Sequence, residues 1–144
     1  MKLKMDNSLM LDEFFDGTRL IGIVAPVKGY QLCWQINSRM EFDFRMNNEL
    51  EIQLEKKMRK YYFTVYEYRQ PASALFHFLY HNQFDGEFLL PEFKHLDYLW
   101  LLKGDSINEG EFNLIQQSLR SLPGIQMVTE LSNDKIRNKG HLVF

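Results

Sequence analysis

Apolar and polar positions along this chain change period several times, and each change marks a candidate element. In RLIGIVA, Arg19 to Ala25, apolar residues follow the turn-former Gly17 and stop at Pro26, which predicts a strand. From about Lys28 to Ser38, Leu32, Cys33 and Ile36 recur at helical spacing, with Tyr30 and Trp34 flanking the stripe, so a short helix is expected. The period then drops to two. Met40, Phe42, Phe44 and Met46 alternate with Glu41, Asp43 and Arg45; beyond Asn47-Asn48, Leu50, Ile52 and Leu54 alternate with Glu49, Glu51, Gln53 and Glu55. Two such segments around a polar link predict a hairpin with one wet face. KKMRK, Lys56 to Lys60, reads as the next connection, and YYFTVYEY, Tyr61 to Tyr68, as an aromatic strand broken at Pro71.

Ala74 to His81 fits either a helix or a strand; as a strand it puts Phe76, Phe78 and Tyr80 on one side, and the turn-like NQFDG favours a hairpin into EFLL, Glu87 to Leu90. LDYLWLLK follows. Leu96, Tyr98, Trp100 and Leu102 are expected on one face and Leu99 and Leu101 on the other, as in a strand buried on both sides. Ser106 and Glu109 have capping-box spacing, Phe112, Ile115, Leu119 and Leu122 form an apolar stripe, and Pro123-Gly124 ends the helix. Ile125 to Leu131 completes a strand–helix–strand unit, right-handed if its strands are parallel, and HLVF docks the tail. The sum is one α+β domain over residues 1–144: an antiparallel-rich, mixed sheet with two main helices on one face. Ferredoxin-like and ACT-like domains are its analogues. The other face needs cover, from the Met40 to Tyr68 hairpins or from a second copy, so a homodimer is one of two hypotheses for it.

Composition adjusts this picture only slightly. A chain of 144 residues, 45% hydrophobic and 15% aromatic, can bury a core without staples and is not disordered. A net charge of −2 provides no general steering towards phosphates. Cys33 is the sole cysteine, which excludes an intramolecular disulfide and suits a reducing compartment. The lysines at the N-terminus are followed by Asp6, Asp12 and Glu13, unlike a signal peptide, and no run reaches the roughly 20 apolar residues of a membrane span. The expected location is the cytoplasm, with no membrane partner.

Candidate chemistry centres on LLPEFKHLDYLWLLKGD, Leu89 to Asp105. LPEFKHLDY, Leu90 to Tyr98, resembles the signature of the IPExxxVDY family of small bacterial proteins. Pro91, Glu92, Asp97 and Tyr98 match, while Leu90 replaces the Ile and Leu96 the Val. The resemblance extends through LCWQIN, Leu32 to Asn37, and HLVF, and implies a bacterial protein without implying any particular activity. Physically, Leu90 before a proline is pushed to extended geometry, and Pro91 cannot donate to a ladder, so a strand ends there. Asp97 is then expected to accept backbone N–H groups of the turn, and Tyr98 to bury its ring and tie its hydroxyl to a neighbour. The alternative makes Glu92, His95, Asp97 and Tyr98 a ligand pocket. In an extended chain the two carboxylates lie roughly 16 Å apart, so only a tight loop assembles such a site.

His77 and His81 have helical metal-pair spacing but lack a companion Glu, and on a strand they sit roughly 13 Å apart, so no metal site and no cofactor are expected. Cys33 reads as a core thiol. Lys56, Lys57, Arg59 and Lys60, with Tyr61, Tyr62 and Phe63 behind them, could grip RNA by charge and stacking, although a solvated turn accounts for them too. No phosphate loop, nucleophile elbow or other catalytic constellation appears. The sequence therefore points to a non-enzymatic cytosolic interaction or regulatory module that self-associates or binds a protein partner. An RNA-binding module and a small-ligand sensor with an acidic pocket are the alternatives.

Overall fold

The computed structural model describes residues 11, 13–50, 52–104 and 107–143. Among the described residues, ten strands and two long helices are defined: β1 (Arg19–Val24), α1 (Gly29–Met40), β2 (Arg45–Met46), β3 (Ile52–Lys56), β4 (Arg59–Phe63), β5 (Val65–Arg69), β6 (Phe76–His81), β7 (Gln83–Phe84), β8 (Glu87–Phe88), β9 (Tyr98–Lys103), α2 (Glu109–Arg120) and β10 (Met127–Leu131). Single 3-10 turns occupy Asn48–Leu50, Pro91–Phe93, Asn133–Lys135 and Lys139–Leu142.

The main sheet runs β10-β1-β9-β6-β5-β2, and every ladder among the described residues is antiparallel. The fold is α+β. The pair β9 and β10, joined through α2, run parallel to each other but flank β1, so the parallel relation lives in the connection and not in a ladder. With β1, α1 and β6 making a second split unit around β9, the four strands β10-β1-β9-β6 have the connectivity of a ferredoxin-like sheet.

Strand alternation sorts the core into two layers. Ile21, Ile23, Tyr98, Trp100, Leu102 and Leu79 meet Leu32, Cys33 and Ile36 of α1 and Phe112, Ile115 and Leu119 of α2. On the reverse face, Leu20, Leu99, Leu101, Phe78 and Tyr80 meet Ile52 and Phe63 of the β3–β4 ribbon, Leu89, Leu90 and Leu96 of the loop before β9, and Ile136 and Leu142 of the tail. The chain thus covers this face with its own ribbon, loop and tail. The need for cover that suggested a second copy is met internally. Tyr80 anchors the tail by donating its hydroxyl to the Leu142 carbonyl (2.8 Å).

Several local expectations change. β3 pairs with β4, not with the Met40–Met46 segment, because Lys57 and Met58 form a two-residue turn with both residues at positive φ (50° and 64°). Only Arg45 and Met46 of that earlier segment are strand, and they pair with β5. Asn37 holds Phe44 beside α1 through paired bonds to its N–H (2.8 Å) and carbonyl (3.0 Å). The aromatic stretch Tyr61 to Tyr68 breaks at Thr64 into β4 and β5, which belong to different sheets. Ser106 lies outside the described residues; the N-cap of α2 is Asn108, whose Oδ1 accepts from Gly110 and Glu111 N–H (2.7 and 3.3 Å). The tail's final residue, Phe144, and the N-terminal run to Met10 also lie outside. Leu96 packs on the reverse face rather than with Tyr98, since the strand starts only at Tyr98. Its side chain fills the space over Gly22 of β1, where a Cβ would lie 2.5 Å from a Leu96 methyl.

Candidate functional site

The Leu89–Tyr98 segment wraps around a residue that the sequence reading did not single out. Asn82 is wholly buried between β6 and β7. Its amide nitrogen donates to the Phe93 and Leu96 carbonyls (3.0 and 2.9 Å), and its Oδ1 accepts from Leu90 N–H (2.8 Å). Its backbone N–H bonds Asp97 O and its carbonyl accepts from Leu89 N–H. A buried amide with all these partners specifies the loop's path. An Asn beside a Gln-Phe-Asp-Gly turn reads as a turn residue, and nothing in the local pattern marks it as buried.

The four residues of the expected pocket are distributed around this hub and do not converge. Glu92 faces the tail: its carboxylate accepts from the Arg137 and Asn138 N–H groups (2.6 and 2.8 Å) and from Asn138 Nδ2 (2.8 Å). Burial raises the Glu92 pKa, but the Asn138 side chain and the backbone donors outweigh it and leave the pKa below the usual value. Asp97 faces β1. Its Oδ2 accepts from Ala25 N–H (2.8 Å), so the donor comes from across the sheet rather than from the turn. Tyr98 is buried, and its hydroxyl donates to Val27 O. Burial, then the neighbouring Tyr66, raise its pKa. His95 is exposed, with its ring edge-on to Phe93. Glu92 thus fastens the tail, and Asp97 and Tyr98 fasten the loop that feeds α1.

The basic group is divided by the β3–β4 ribbon. Alternation puts Lys56 and Arg59, cross-strand partners, on the side that carries Ile52 and Phe63 inward, while Lys60 lies on the opposite side with Tyr62. Lys56 pairs with Glu87 (2.8 Å) and Arg59 with Asp85, both from the β7–β8 hairpin. Lys57 and Met58 form the tip, where Met58 is exposed over 97% of its surface. Tyr62 meets Phe84 edge-on beside them.

His77 and His81 share one face of β6 but have different surroundings. The His77 ring is enclosed by Phe42, Tyr68 and Trp100 and accepts the Trp100 indole N–H at Nδ1 (3.0 Å), leaving Nε2 without a partner among the described residues. Burial pushes its pKa down to about 4. His81 stacks on Tyr98 (4.9 Å); burial lowers its pKa against an opposing pull from Asp97. Cys33 is buried, and desolvation pushes its thiol up to about 12, too high for a nucleophile at neutral pH. Among the described residues, no three His, Cys, Asp or Glu side chains cluster as metal ligands, and no helix is long and apolar enough to cross a membrane.

The outer face of α1 is the other feature with functional character. Its inner stripe sits against the sheet, whereas Tyr30 and Trp34 are 62% and 70% exposed. With Val27, Gln31 and Gln35 they line a shallow hollow. The signal was present in the sequence: at about 100° per residue, Trp34 lies roughly 150° from the centre of the Leu32–Cys33–Ile36 stripe. The chain matches no family model, and no curated protein is significantly similar to it.

Proposed function

We propose that the protein is a non-enzymatic interaction or regulatory module that presents the outer face of α1 to a protein partner. The observation that carries this reading is the exposure of Tyr30 and Trp34, one turn apart on a well-packed helix. Tyr and Trp are the residue types that anchor interfaces, since they bring large, rigid apolar area with a polar handle. The roles found for Glu92, Asp97 and Tyr98 support the same reading, because each is engaged in holding backbone. The Leu90–Tyr98 string supports placing the protein among the bacterial IPExxxVDY proteins, and the lone reduced cysteine supports a cytoplasmic setting.

Affinity purification from the native host tests this. A partner captured by the wild type and lost with Tyr30→Ala/Trp34→Ala, with far-UV circular dichroism unchanged, is the expected result. Identical captured sets from both proteins would remove α1 from the reading. A second reading, RNA binding at the ribbon, keeps one favourable feature: Lys57, Lys60 and Tyr62 face outward together with Phe84. A salt-dependent gel shift weakened by Lys57→Glu/Lys60→Glu would support it, and no shift at low salt would end it.

A further inference from the structure

We infer that the hollow between α2 and the Phe42 side of the main sheet is a binding site for a small aromatic amine. This site is separate from the outer face of α1 and does not rest on the reading of that helix. Leu75 and Leu102 form its floor, Phe42 one wall, and Phe112, Leu114 and Ile115 of α2 the other. Leu75, Leu102, Phe112 and Ile115 are buried, so the hollow reaches the core layer beneath α2. Its aromatic walls are packed from behind. Phe42 stacks on Tyr68 (4.9 Å between centroids) and meets Trp100 edge-on (5.7 Å), and the Arg19 guanidinium lies 3.7 Å from the centre of the Phe112 ring. A concave, mostly apolar and pre-formed site of this kind is the usual form of a small-molecule pocket.

Leu114 is apolar area that the chain itself does not bury. At about 100° per residue it stands off the Phe112–Ile115–Leu119 stripe, and 62% of it is exposed. Positions off the buried stripe of a surface helix are ordinarily polar. Here a leucine carries the apolar wall outward to the mouth of the hollow, where an occupant would cover it.

Size and charge select the occupant. The hollow holds about 190 Å³. A cavity of ~150 Å³ accepts benzene, so there is room for one ring and a short arm, not for a helix or a strand. The polar groups at the mouth are Gln70 and Glu111. Neither side chain makes an ion pair or a hydrogen bond among the described residues. No lysine or arginine lines the hollow, so a carboxylate or a phosphate finds no cation and meets the like charge of Glu111. An ammonium instead donates to the Glu111 carboxylate and to Gln70 Oε1 while its ring lies between Phe42 and Phe112. An ion pair at an exposed carboxylate contributes little by itself. The buried ring therefore supplies most of the binding, and Glu111 sets which charge is accepted.

Amide-resolved NMR of the full chain, titrated with phenylethylamine to about 20 mM, provides the test, a range set by the millimolar affinity of so small a ligand. The amides of Leu75, Leu102, Phe112 and Ile115 shift and saturate. Phenylethanol, which keeps the ring and loses the charge, shifts them with weaker affinity, and phenylpropionate is weaker still. Leu114→Lys, at an exposed position and expected to keep the circular dichroism of the wild type, weakens amine and alcohol alike by about fivefold or more. Glu111→Gln weakens the amine about two- to fivefold and leaves the alcohol unchanged. No saturable shift at these four amides over that range overturns the inference. So does a carboxylate that binds as tightly as the amine, or amine binding indifferent to both variants. Shifts confined to Tyr30 and Trp34 overturn it as well and leave α1 as the binding face.

Discussion

Acid should weaken this fold through one imidazole. His77 has no exposed surface, its Nδ1 accepts the Trp100 indole N–H, and its Nε2 has no partner among the enclosing rings. Burial lowers its pKa from 6.5 to about 4, so the native protein keeps it neutral at pH values where the unfolded chain protonates it. Below pH 6.5 the unfolded state then holds a proton that the native state lacks, and stability falls with pH until the native pKa is reached. About two and a half pH units at 1.36 kcal/mol each gives a loss of roughly 3 kcal/mol between pH 6.5 and pH 4. That is a large share of the ~5–15 kcal/mol that holds a typical domain together. Urea unfolding at pH 7, 6, 5 and 4, on the wild type and on His77→Gln, isolates the effect. The glutamine oxygen still accepts from Trp100, and His81 and the carboxylates titrate in both proteins and cancel in the difference. The stability gap should close by roughly 3 kcal/mol, in favour of the variant, as pH falls. A gap independent of pH, or a His77 resonance titrating near 6.5, would refute the argument.

Asn82→Ala removes three side-chain hydrogen bonds and leaves the Phe93 and Leu96 carbonyls and the Leu90 N–H without their partner; urea unfolding should show a loss of about 3 kcal/mol. Lys57→Asn with Met58→Gly places at the ribbon tip residues that accept positive φ, and should raise stability by about 1–2 kcal/mol in the same assay. Glu92→Ala should release the tail, seen as faster amide exchange at Arg137 and Asn138. Because the Glu92 pKa is depressed, the wild-type clasp is complete above the ordinary carboxylate range and weakens as pH falls through the native value. Exchange at these two amides should therefore approach that of the variant in acid once corrected for the intrinsic pH dependence.

Alternation carried most of the fold. The Phe76, Phe78, Tyr80 side of β6 and the two apolar faces of β9 were legible because a strand at the centre of a two-layer core must be apolar on both sides. Pairing was less legible. Period two says that Leu50 to Leu54 has a wet face, but not which strand lies beside it; the Lys57-Met58 turn decides that, and Lys-Met does not read as a two-residue turn. The α2 cap moved from Ser106 to Asn108 because both residue types cap well and only the backbone path distinguishes them. Acidic residues in LPEFKHLDY read equally well as a site or as a fastening, since the donors that engage them come from Ala25, Arg137 and Asn138, far away in sequence.

The same donors connect that string to the proposed interface. Asp97 holds the Ala25 N–H and Tyr98 the Val27 carbonyl, so these two residues fix both ends of the short segment between β1 and α1. Val27 is itself part of the outward patch, and the helix that carries Tyr30 and Trp34 starts two residues later. Gly29 tightens the junction further, because a Cβ there would lie 2.6 Å from the Tyr66 hydroxyl. Tyr30 and Trp34 lie on a helix whose start is held by these contacts, so its backbone presents the outer face in a defined direction. A backbone held this way has no ordering cost left to meet on binding, and a small patch then keeps more of its contact energy as affinity. Under the proposed function, the string that reads as a possible ligand pocket acts from behind, by orienting the helix that carries the outward face.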